Sequence, residues 1–514
     1  MLARMTTTDC RKSFPPIKVA VTCCRKRKFS TGESFRMLHP ASLSADSHPV
    51  RNGFGPPGNS SLDTLMKKFI LSSVGLLLGA TQPAYTAIPE PQPVTFEVDR
   101  SPHSRTWQTV RLAETDDGVT LATNRFEELQ TGLHRWTEQG WLVTDPRIEL
   151  FRDGAIARNL QYQAIFSPNL ASPGSIDLLL PEQNRLLGQL LGLAFVDANG
   201  SVLISQVQDC AGEVGGPDNN EVTYRNAFTD FQIDVKYVVK RASFAQDLIV
   251  KERLPSPVAY GLSENAVLTL LTEFTSFPQI AKYSRVWQEA QGGRIAITDE
   301  RIILGSMEFL KGKAFSVAGE KSFPVAKSFE QIDQRWFLLE KIPWQEIRSE
   351  LEKLPGRQAR NQPRKAPEIK QAKNSIIPPV RPKARKVVKP MQMAKVDSRP
   401  ERGLMLDFDV AVTTNNFRFQ RDKTYYVSGE VVLSGNNVME GGCVIKFAPT
   451  NSARLNITGT VSCDSTMYAP IVLTARDDHT VGETIGTNSL TGYYARSEER
   501  RVGKECRSRW SPYH

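Results

Sequence analysis

The stretches YYVSGEV (425–431) and LNITGTV (455–461) repeat one pattern at an offset of 30 residues in this 514-residue chain. In both, Val or Ile is followed by Ser or Thr, then Gly, and two positions later by Val. A second pair, CVIKFA (443–448) and PIVLTA (470–475), repeats at an offset of 27. Short β-type runs at this interval indicate coils stacked on one another, because one coil cannot bury its own apolar side.

Three architectures fit such a period: a parallel β-helix, a propeller blade and a β-sandwich with internal similarity. The runs are short and are interrupted by glycine and asparagine, which favours a right-handed parallel β-helix. We therefore predict incomplete β-helix repeats over residues 405–495. A stable stack normally needs about three coils or more. Barely two are visible there, so we expect the module to be truncated.

The last nineteen residues, RSEERRVGKECRSRWSPYH (496–514), show no apolar period. They resemble the translation of a common sequencing adapter. We interpret them as an adapter-derived tail to be left out of the fold, and we expect the natural gene to continue past Ala495. The alternative is a disordered basic tail.

Residues 66–87, MKKFILSSVGLLLGATQPAYTA, have the layout of a secretory signal peptide. Lys67 and Lys68 precede a short apolar run, and small residues follow it as far as Ala84 and Ala87, the two expected cleavage positions. The apolar run is too short to span a bilayer comfortably. A signal peptide stands at the start of a chain, so we expect that the start codon was assigned too early and that residues 1–65 are a disordered extension foreign to the protein. The alternative is a real extension followed by an internal signal-anchor.

The net charge of the chain, +10, comes mostly from its two ends. Residues 1–65 carry +6 and residues 496–514 carry +3, which leaves +1 for residues 66–495. An argument from positive charge to nucleic acid therefore fails, and we expect no nucleic-acid partner.

Residues 356–402 form a Pro-, Lys- and Arg-rich connector with seven prolines and a net charge of +11. This composition buries too little apolar surface to offset the entropy of ordering, so a disordered basic linker is predicted. Its prolines and like charges should keep it extended. It is either a spacer or a segment attracted to an anionic envelope surface, such as lipid phosphate or acidic polysaccharide.

Residues 97–355 are predicted to form a β-sandwich-like domain. LQYQAIF (160–166) and FQIDVKYVVKR (231–241) alternate apolar and polar residues, as half-buried strands do. Strand-like runs of this density, separated by turn residues, are typical of antiparallel sandwiches.

Local signals in the same domain predict turns and two helices. Asp153-Gly154 and Asn199-Gly200 stand between strand-like runs and indicate tight hairpins. Residues 292–306 are expected to add one more strand pair. Asn124–Leu133 and Pro343–Leu354 carry apolar residues at helical spacing, and the second has Pro at its first turn.

Three cysteines lie between residues 66 and 495: Cys210, Cys443 and Cys463. They contain no CxxC pair, which argues against a zinc ribbon and a disulfide-rich scaffold. Cys443 and Cys463 are either two small buried residues of the repeat or a disulfide in an oxidising compartment.

The motif search is mostly negative. The sequence contains no P-loop, no HExxH and no GxSxG, so no catalytic or cofactor-binding residue is assigned and the balance is against an enzyme. Asp477 and Asp478, after a strand-like run, and Asp218 and Glu221, in a polar loop, are weak candidates for a cation such as calcium. For the first pair the alternatives are a solvated turn and carboxylate catalysis.

The unit YYVSGEVVLSG–EGGCVIKF–LNITGTVSCD–YAPIVLTARDD, within residues 425–480, resembles the first coils of β-helix regions in large secreted bacterial proteins. Such proteins typically have a signal peptide, an N-terminal β-domain and a long β-helix. The resemblance implies a secreted or cell-surface location. It carries over no catalytic residue, because related β-helices include polysaccharide lyases, hydrolases, adhesins and passive stalks.

We therefore predict an exported multidomain protein with a structural, adhesive or carbohydrate-binding role and no transmembrane span. Its expected partner is extracellular polysaccharide or an anionic envelope surface. The alternative is a polysaccharide lyase or glycoside hydrolase whose active site lies in missing carboxyl-terminal coils.

Tryptophan is more often a core residue than a platform on which a sugar ring stacks. The candidates for either role are Trp107, Trp136, Trp141, Trp287, Trp336 and Trp344.

Overall fold

The structure is a computed structural model, and strands make up most of it. The predicted mainly β class is confirmed. The residues it describes are 92–116, 118–291, 294–317, 321–356, 381, 389–394, 402–450 and 452–486. The predicted signal peptide, the extension before it and the adapter-like tail lie outside these residues.

The β-sandwich-like domain takes the form of a barrel-like sheet. Its described strands pair antiparallel except for one parallel pair, between Gly212–Gly215 and Gln392–Met393. The strands are β6 (Glu149–Phe151), β7 (Gly154–Ala157), β8 (Gln163–Phe166), β9 (Ile176–Leu179), β10 (Arg185–Asp197), β11 (Gly200–Gln206), β12 (Gly212–Gly215), β13 (Glu221–Tyr224), β14 (Ile233–Val239), β15 (Ser243–Val250), β16 (Val267–Ser276), β17 (Ala281–Gln288), β18 (Ile297–Leu304), β19 (Met307–Phe309), β20 (Gly312–Ser316), β21 (Ser322–Ile332), β22 (Arg335–Pro343), β23 (Gln392–Met393) and β24 (Leu404–Val412).

Many of the barrel strands place apolar side chains in a large common core, whereas β6, β17 and β23 contribute no buried residue to it. Both predicted hairpins are confirmed, because Phe151 pairs with Gly154 across the β6–β7 turn and Asp197 pairs with Gly200 across the β10–β11 turn. The prediction of a strand pair within residues 292–306 is wrong. The described part of that stretch holds one strand, β18, which pairs with β17 and β19 instead.

One of the two predicted helices forms. The helix α1 (Trp344–Leu351) follows β22, and Trp344, Ile347 and Leu351 are buried in the barrel core. A short 3-10 helix covers Pro257–Tyr260. The predicted helix Asn124–Leu133 is wrong, because the chain as far as Leu129 is the end of a long strand.

Three parallel sheets follow the barrel and build the predicted β-helix. Each sheet has one strand from each of three coils, in the orders β25-β28-β31, β26-β29-β32 and β27-β30-β33. The strands are β25 (Thr414–Asn415), β26 (Arg418–Phe419), β27 (Thr424–Val427), β28 (Glu430–Ser434), β29 (Asn436–Glu440), β30 (Val444–Phe447), β31 (Arg454–Ile457), β32 (Thr460–Asp464) and β33 (Val472–Ala475).

The stacking register differs from the offsets read in the sequence. Tyr425 pairs with Ile445, and Val431 pairs with Leu455, so successive coils are shorter than 30 residues at these positions. The aligned motifs YYVSGEV and LNITGTV mark two different corners of the β-helix, since the first joins β27 to β28 and the second joins β31 to β32. The second pair, CVIKFA and PIVLTA, does lie on stacked strands, β30 and β33, one residue out of register, because Val444 pairs with Val472. The first pair identifies the architecture but not the stacked partners.

An amino-terminal meander closes one end of the β-helix. Its strands β1 (Val94–Arg100), β2 (Ser104–Thr115) and β3 (Gly118–Leu129) are antiparallel, and β3 then pairs parallel with β27. Leu129 packs in the β-helix core beside Val427. The meander thus occupies the position of a preceding coil in that sheet.

The connector and the start of the β-helix also differ from prediction. Residues 389–394 add strand β23 to the barrel, with Met391 buried in its core, so this part of the predicted linker is ordered. Strand β24 pairs with β15, β19 and β20 of the barrel. The β-helix therefore starts at Thr414, later than the predicted boundary at 405. Residues 357–380, 382–388 and 395–401 lie outside the described residues.

Candidate functional site

A small hairpin between the meander and the barrel carries an exposed aromatic pair. Its strands are β4 (His134–Thr137) and β5 (Gly140–Val143), and Trp136 and Trp141 are direct cross-strand partners. The ring centroids lie 4.9 Å apart at an interplanar angle of 74°. Trp136 is 67% exposed, whereas Trp141 is partly buried.

The backbone under this pair is held from several sides. Arg100 Nη1 donates to the carbonyl of Trp141 at 2.8 Å, and Thr137 Oγ1 donates to the carbonyl of Gly140 at 2.9 Å. Arg135 Nη2 donates to Asn159 Oδ1 at 3.1 Å. The indoles therefore stand on a fixed base, which reduces the entropy that binding a ligand would cost.

Two histidines, the half-buried His103 and the buried His134, support the base of the hairpin. His103 Nδ1 accepts a hydrogen bond from the amide of Gly132 at 3.0 Å, and His134 Nδ1 lies 2.7 Å from the carbonyl of Ser101. Burial lowers the pKa of His103 to about 4. Burial also lowers the pKa of His134, despite the bond to Ser101. Both rings are neutral structural groups at neutral pH.

The surface at the hairpin combines apolar area with nearby polar groups. Leu142 and Val143 are exposed on β5, and Glu138 and Gln139 are exposed at the turn. A tilted pair of indoles offers one ring face for stacking and a second ring as a side wall. Apolar rings with a few convergent polar groups suit a ligand that has both apolar C–H and hydroxyl surfaces.

The other candidate tryptophans are engaged with protein neighbours. Trp107 Nε1 donates to Glu128 Oε2 at 2.7 Å, and Arg105 lies over its ring at 4.6 Å. Trp344 is buried in the barrel core, and the partly buried Trp336 packs against that core. The sequence interpretation weighed these residues singly and missed the hairpin WTEQGW (136–141), in which a four-residue turn brings two indoles together.

The candidate carboxylates Asp477 and Asp478 lie in a turn after β33. Asp478 accepts hydrogen bonds from Thr474 Oγ1 at 2.6 Å and from the amide of Thr480 at 3.0 Å. Its backbone carbonyl accepts from buried Lys446 Nζ at 2.7 Å, and that ammonium also donates to the carbonyl of Glu483 at 2.6 Å. These bonds fold residues 476–486 back over the β-helix, which is a structural role.

The second candidate pair is also placed by structure. Asp218 lies in a turn, and Glu221 begins β13, where Lys236 Nζ approaches its carboxylate at 3.8 Å. Among the described residues, no group of three or more His, Cys, Asp or Glu side chains has an arrangement that could hold a metal ion. The calcium expectation therefore gains no support from either pair.

Both cysteines of the β-helix are thiols in this structure. Cys443 is buried in the β-helix core, as expected for a small residue of the repeat, whereas Cys463 is exposed on β32. The disulfide alternative is not the arrangement described here.

Within the described part of the chain, no helix has the length and apolar character that a membrane span requires. Comparison of the chain with family models, with curated proteins and with solved structures found no match.

Proposed function

We propose that this chain is an exported surface or extracellular protein that binds carbohydrate at the Trp136–Trp141 pair and uses its β-helix as a structural module. One observation carries the proposal: an indole that is 67% exposed stands beside a second indole on a braced hairpin. Exposed apolar patches rimmed by polar residues are typical of interaction surfaces. The flat C–H face of a sugar ring matches such a platform.

The braced geometry favours binding over catalysis at this hairpin. The two histidines beneath it, His103 and His134, remain neutral at neutral pH, and Arg100 and Arg135 donate hydrogen bonds at its base. General acid–base catalysis of glycoside cleavage needs a pair of carboxyl groups at a set separation. The hairpin turn contributes one carboxylate, Glu138, and the Glu97 carboxylate at the hairpin base is paired with Arg100. We infer a lectin-like role for this surface.

A glycan array probed with the full chain tests the proposal. We expect binding to at least one class of polysaccharide and loss of that binding in Trp136→Ala. Tyr283→Ala is the matched control, because Tyr283 is an aromatic residue with a similar exposure, 63%, on barrel strand β17. No binding on a broad array contradicts the proposal, and cleavage of a bound glycan favours the lyase or hydrolase alternative.

Export is tested separately by N-terminal sequencing of the product recovered outside bacterial cells. A mature start just after Ala84 or Ala87 supports the signal peptide that Lys67 and Lys68 introduce. A product that starts at Met1, or one retained in the cell, contradicts it.

A further inference from the structure

A lysine and a glutamate face each other inside the barrel. Lys327 on β21 and Glu340 on β22 are direct cross-strand partners. Each is 1% exposed. Directly opposed residues of an antiparallel pair have Cβ atoms about 5 Å apart, within reach of both side chains.

Both side chains point into the apolar core. Val325 and Phe329 flank Lys327 at the alternate positions of β21, and all three share one face of the sheet. Leu338 and Ile342 flank Glu340 in the same way on β22. The four flanking residues belong to the barrel core, so the lysine and the glutamate replace core residues at matched positions.

The two groups do not form the hydrogen bonds that buried charges need. Lys327 Nζ and Glu340 Oε2 have no hydrogen-bond partner among the described residues. On the same two strands, Lys341 Nζ lies 2.7 Å from Glu330 Oε1 in a more exposed ion pair. Burying two ions without close contact would cost several kcal/mol each. Lys327 and Glu340 are therefore not explained as a simple buried ion pair.

Burial moves both groups towards their neutral forms. It lowers the pKa of Lys327 to about 8, opposed by the carboxylates of Asp299 and Glu340. It raises the pKa of Glu340 to about 8, opposed by Lys327 and reinforced by Asp407. A neutral amine is a nucleophile, and a protonated carboxyl group can release its hydroxyl as water. The two reactive forms are therefore accessible together in this core.

We propose that Lys327 and Glu340 become joined by an intramolecular amide bond. The lone pair of Lys327 Nζ attacks Glu340 Cδ, and an N–C bond forms. The C–OH bond of the carboxyl group breaks, and the hydroxyl leaves with one proton from the amine. The net change is amine plus carboxylic acid to amide plus one water molecule, and no oxidant or cofactor is consumed.

The fold supplies the conditions that this condensation needs. The β21–β22 register holds the two groups at opposed positions of one strand pair, and confinement of this kind raises the effective concentration of one reactant at the other. Burial raises the pKa of Tyr237, and the nearby Glu340 carboxyl raises it further; the buried Tyr237 hydroxyl has no hydrogen-bond partner among the described residues. This hydroxyl is a candidate donor to the carboxyl oxygen. The product is neutral, so the cost of two buried ions disappears.

Peptide mapping of the full chain after denaturation tests the bond directly. Trypsin cuts after unmodified lysine, so an amide at Lys327 should block cleavage there. It should also join residues 322–335 to residues 336–341 in one species lighter by one water than its two parts. Finding the two peptides separate, with cleavage after Lys327, overturns the proposal and favours an ion pair or a water-bridged pair.

Variants locate the bond and do not depend on the proposed binding function. Lys327→Met and Glu340→Leu should each abolish the joined species, whereas Lys341→Met removes the neighbouring lysine and should leave the water loss unchanged. The wild-type map remains decisive where a core variant fails to fold. A water loss that maps to any other residues also overturns the proposal.

Discussion

Arg381 of the basic connector donates hydrogen bonds of 3.0 and 2.9 Å from its Nε to the two carboxylate oxygens of Glu273 on β16. Glu273 is buried, and Arg335 on the neighbouring strand β22 binds the same carboxylate at 2.9 Å. Although burial alone would raise the pKa of Glu273, the hydrogen bonds from Arg335 and Arg381 lower it to about 2. The connector is thus tied to the barrel at Arg381 and again at β23.

Arg381→Ala should destabilise the barrel without unfolding it, because Arg335 still neutralises the carboxylate. We expect a loss of about 1–2 kcal/mol in the free energy of unfolding, below the cost of leaving a buried ion unpaired. The lowered pKa of Glu273 stabilises the fold above about pH 4.5, and this contribution is lost as the pH falls towards 2.

Urea unfolding at pH 7 and pH 3 measures this effect. The difference between wild type and Arg381→Ala should shrink at the lower pH. Lys389→Ala is the control, because Lys389 is an exposed cation of the same connector. Equal losses from both variants would mean that net charge, and not the Glu273 contact, is responsible.

His103 should make stability depend on pH in a different window. Its pKa is lowered from 6.5 to about 4 by burial, so the unfolded chain binds a proton there more readily than the folded chain. Stability contributed by the neutral ring is present above about pH 6.5 and is lost as the pH falls towards 4. His103→Asn can retain the acceptor for the Gly132 amide without titrating.

Thermal unfolding between pH 7.5 and pH 4.5 tests this point. The variant should show a flatter dependence of melting temperature on pH than the wild type. An unchanged slope would show that His103 is not the group responsible.

Gly459 should be essential to coil stacking. A Cβ added there would lie 2.0 Å from the carbonyl oxygen of Gly435 in the coil below, closer than any van der Waals contact. Gly459→Ala should therefore lower the free energy of unfolding by about 1–3 kcal/mol, the usual cost of overpacking.

Hydrogen exchange locates the Gly459 effect. Protection should fall in β28 and β31 and remain in barrel strands such as β16. The control is Gly356→Ala, because a Cβ at Gly356 meets no heavy atom within 4 Å. Wild-type protection throughout the β-helix of Gly459→Ala would contradict the stacking described.

Local chemistry explains which parts of the fold were predictable. Asp153-Gly154 and Asn199-Gly200 specify hairpins within a few residues, so the sequence was sufficient. The prediction failed at Asn124–Leu133, where Phe126, Leu129 and Leu133 have helical spacing. There the pairing of β3 with β2 and with β27 decides the structure, and β27 is some 300 residues away in sequence.

The site shows the same division between local and distant information. Six candidate tryptophans were evident from the sequence, but residue type does not show which side chains are exposed. Only the folded structure distinguishes exposed Trp136 from buried Trp344. The inner pair of Lys327 and Glu340 was not predicted at all. Lysine and glutamate are usually surface residues, so their residue types did not place these two in the core. The register of β21 and β22 brings them together there.

Calorimetric titration of the full chain with the best glycan found on an array tests the central claim most directly. Wild type and Tyr283→Ala should bind with equal affinity, and Trp136→Ala should bind at least about tenfold more weakly, equivalent to about 1.4 kcal/mol. Equal affinity of all three proteins would contradict the assignment of carbohydrate binding to the Trp136–Trp141 pair.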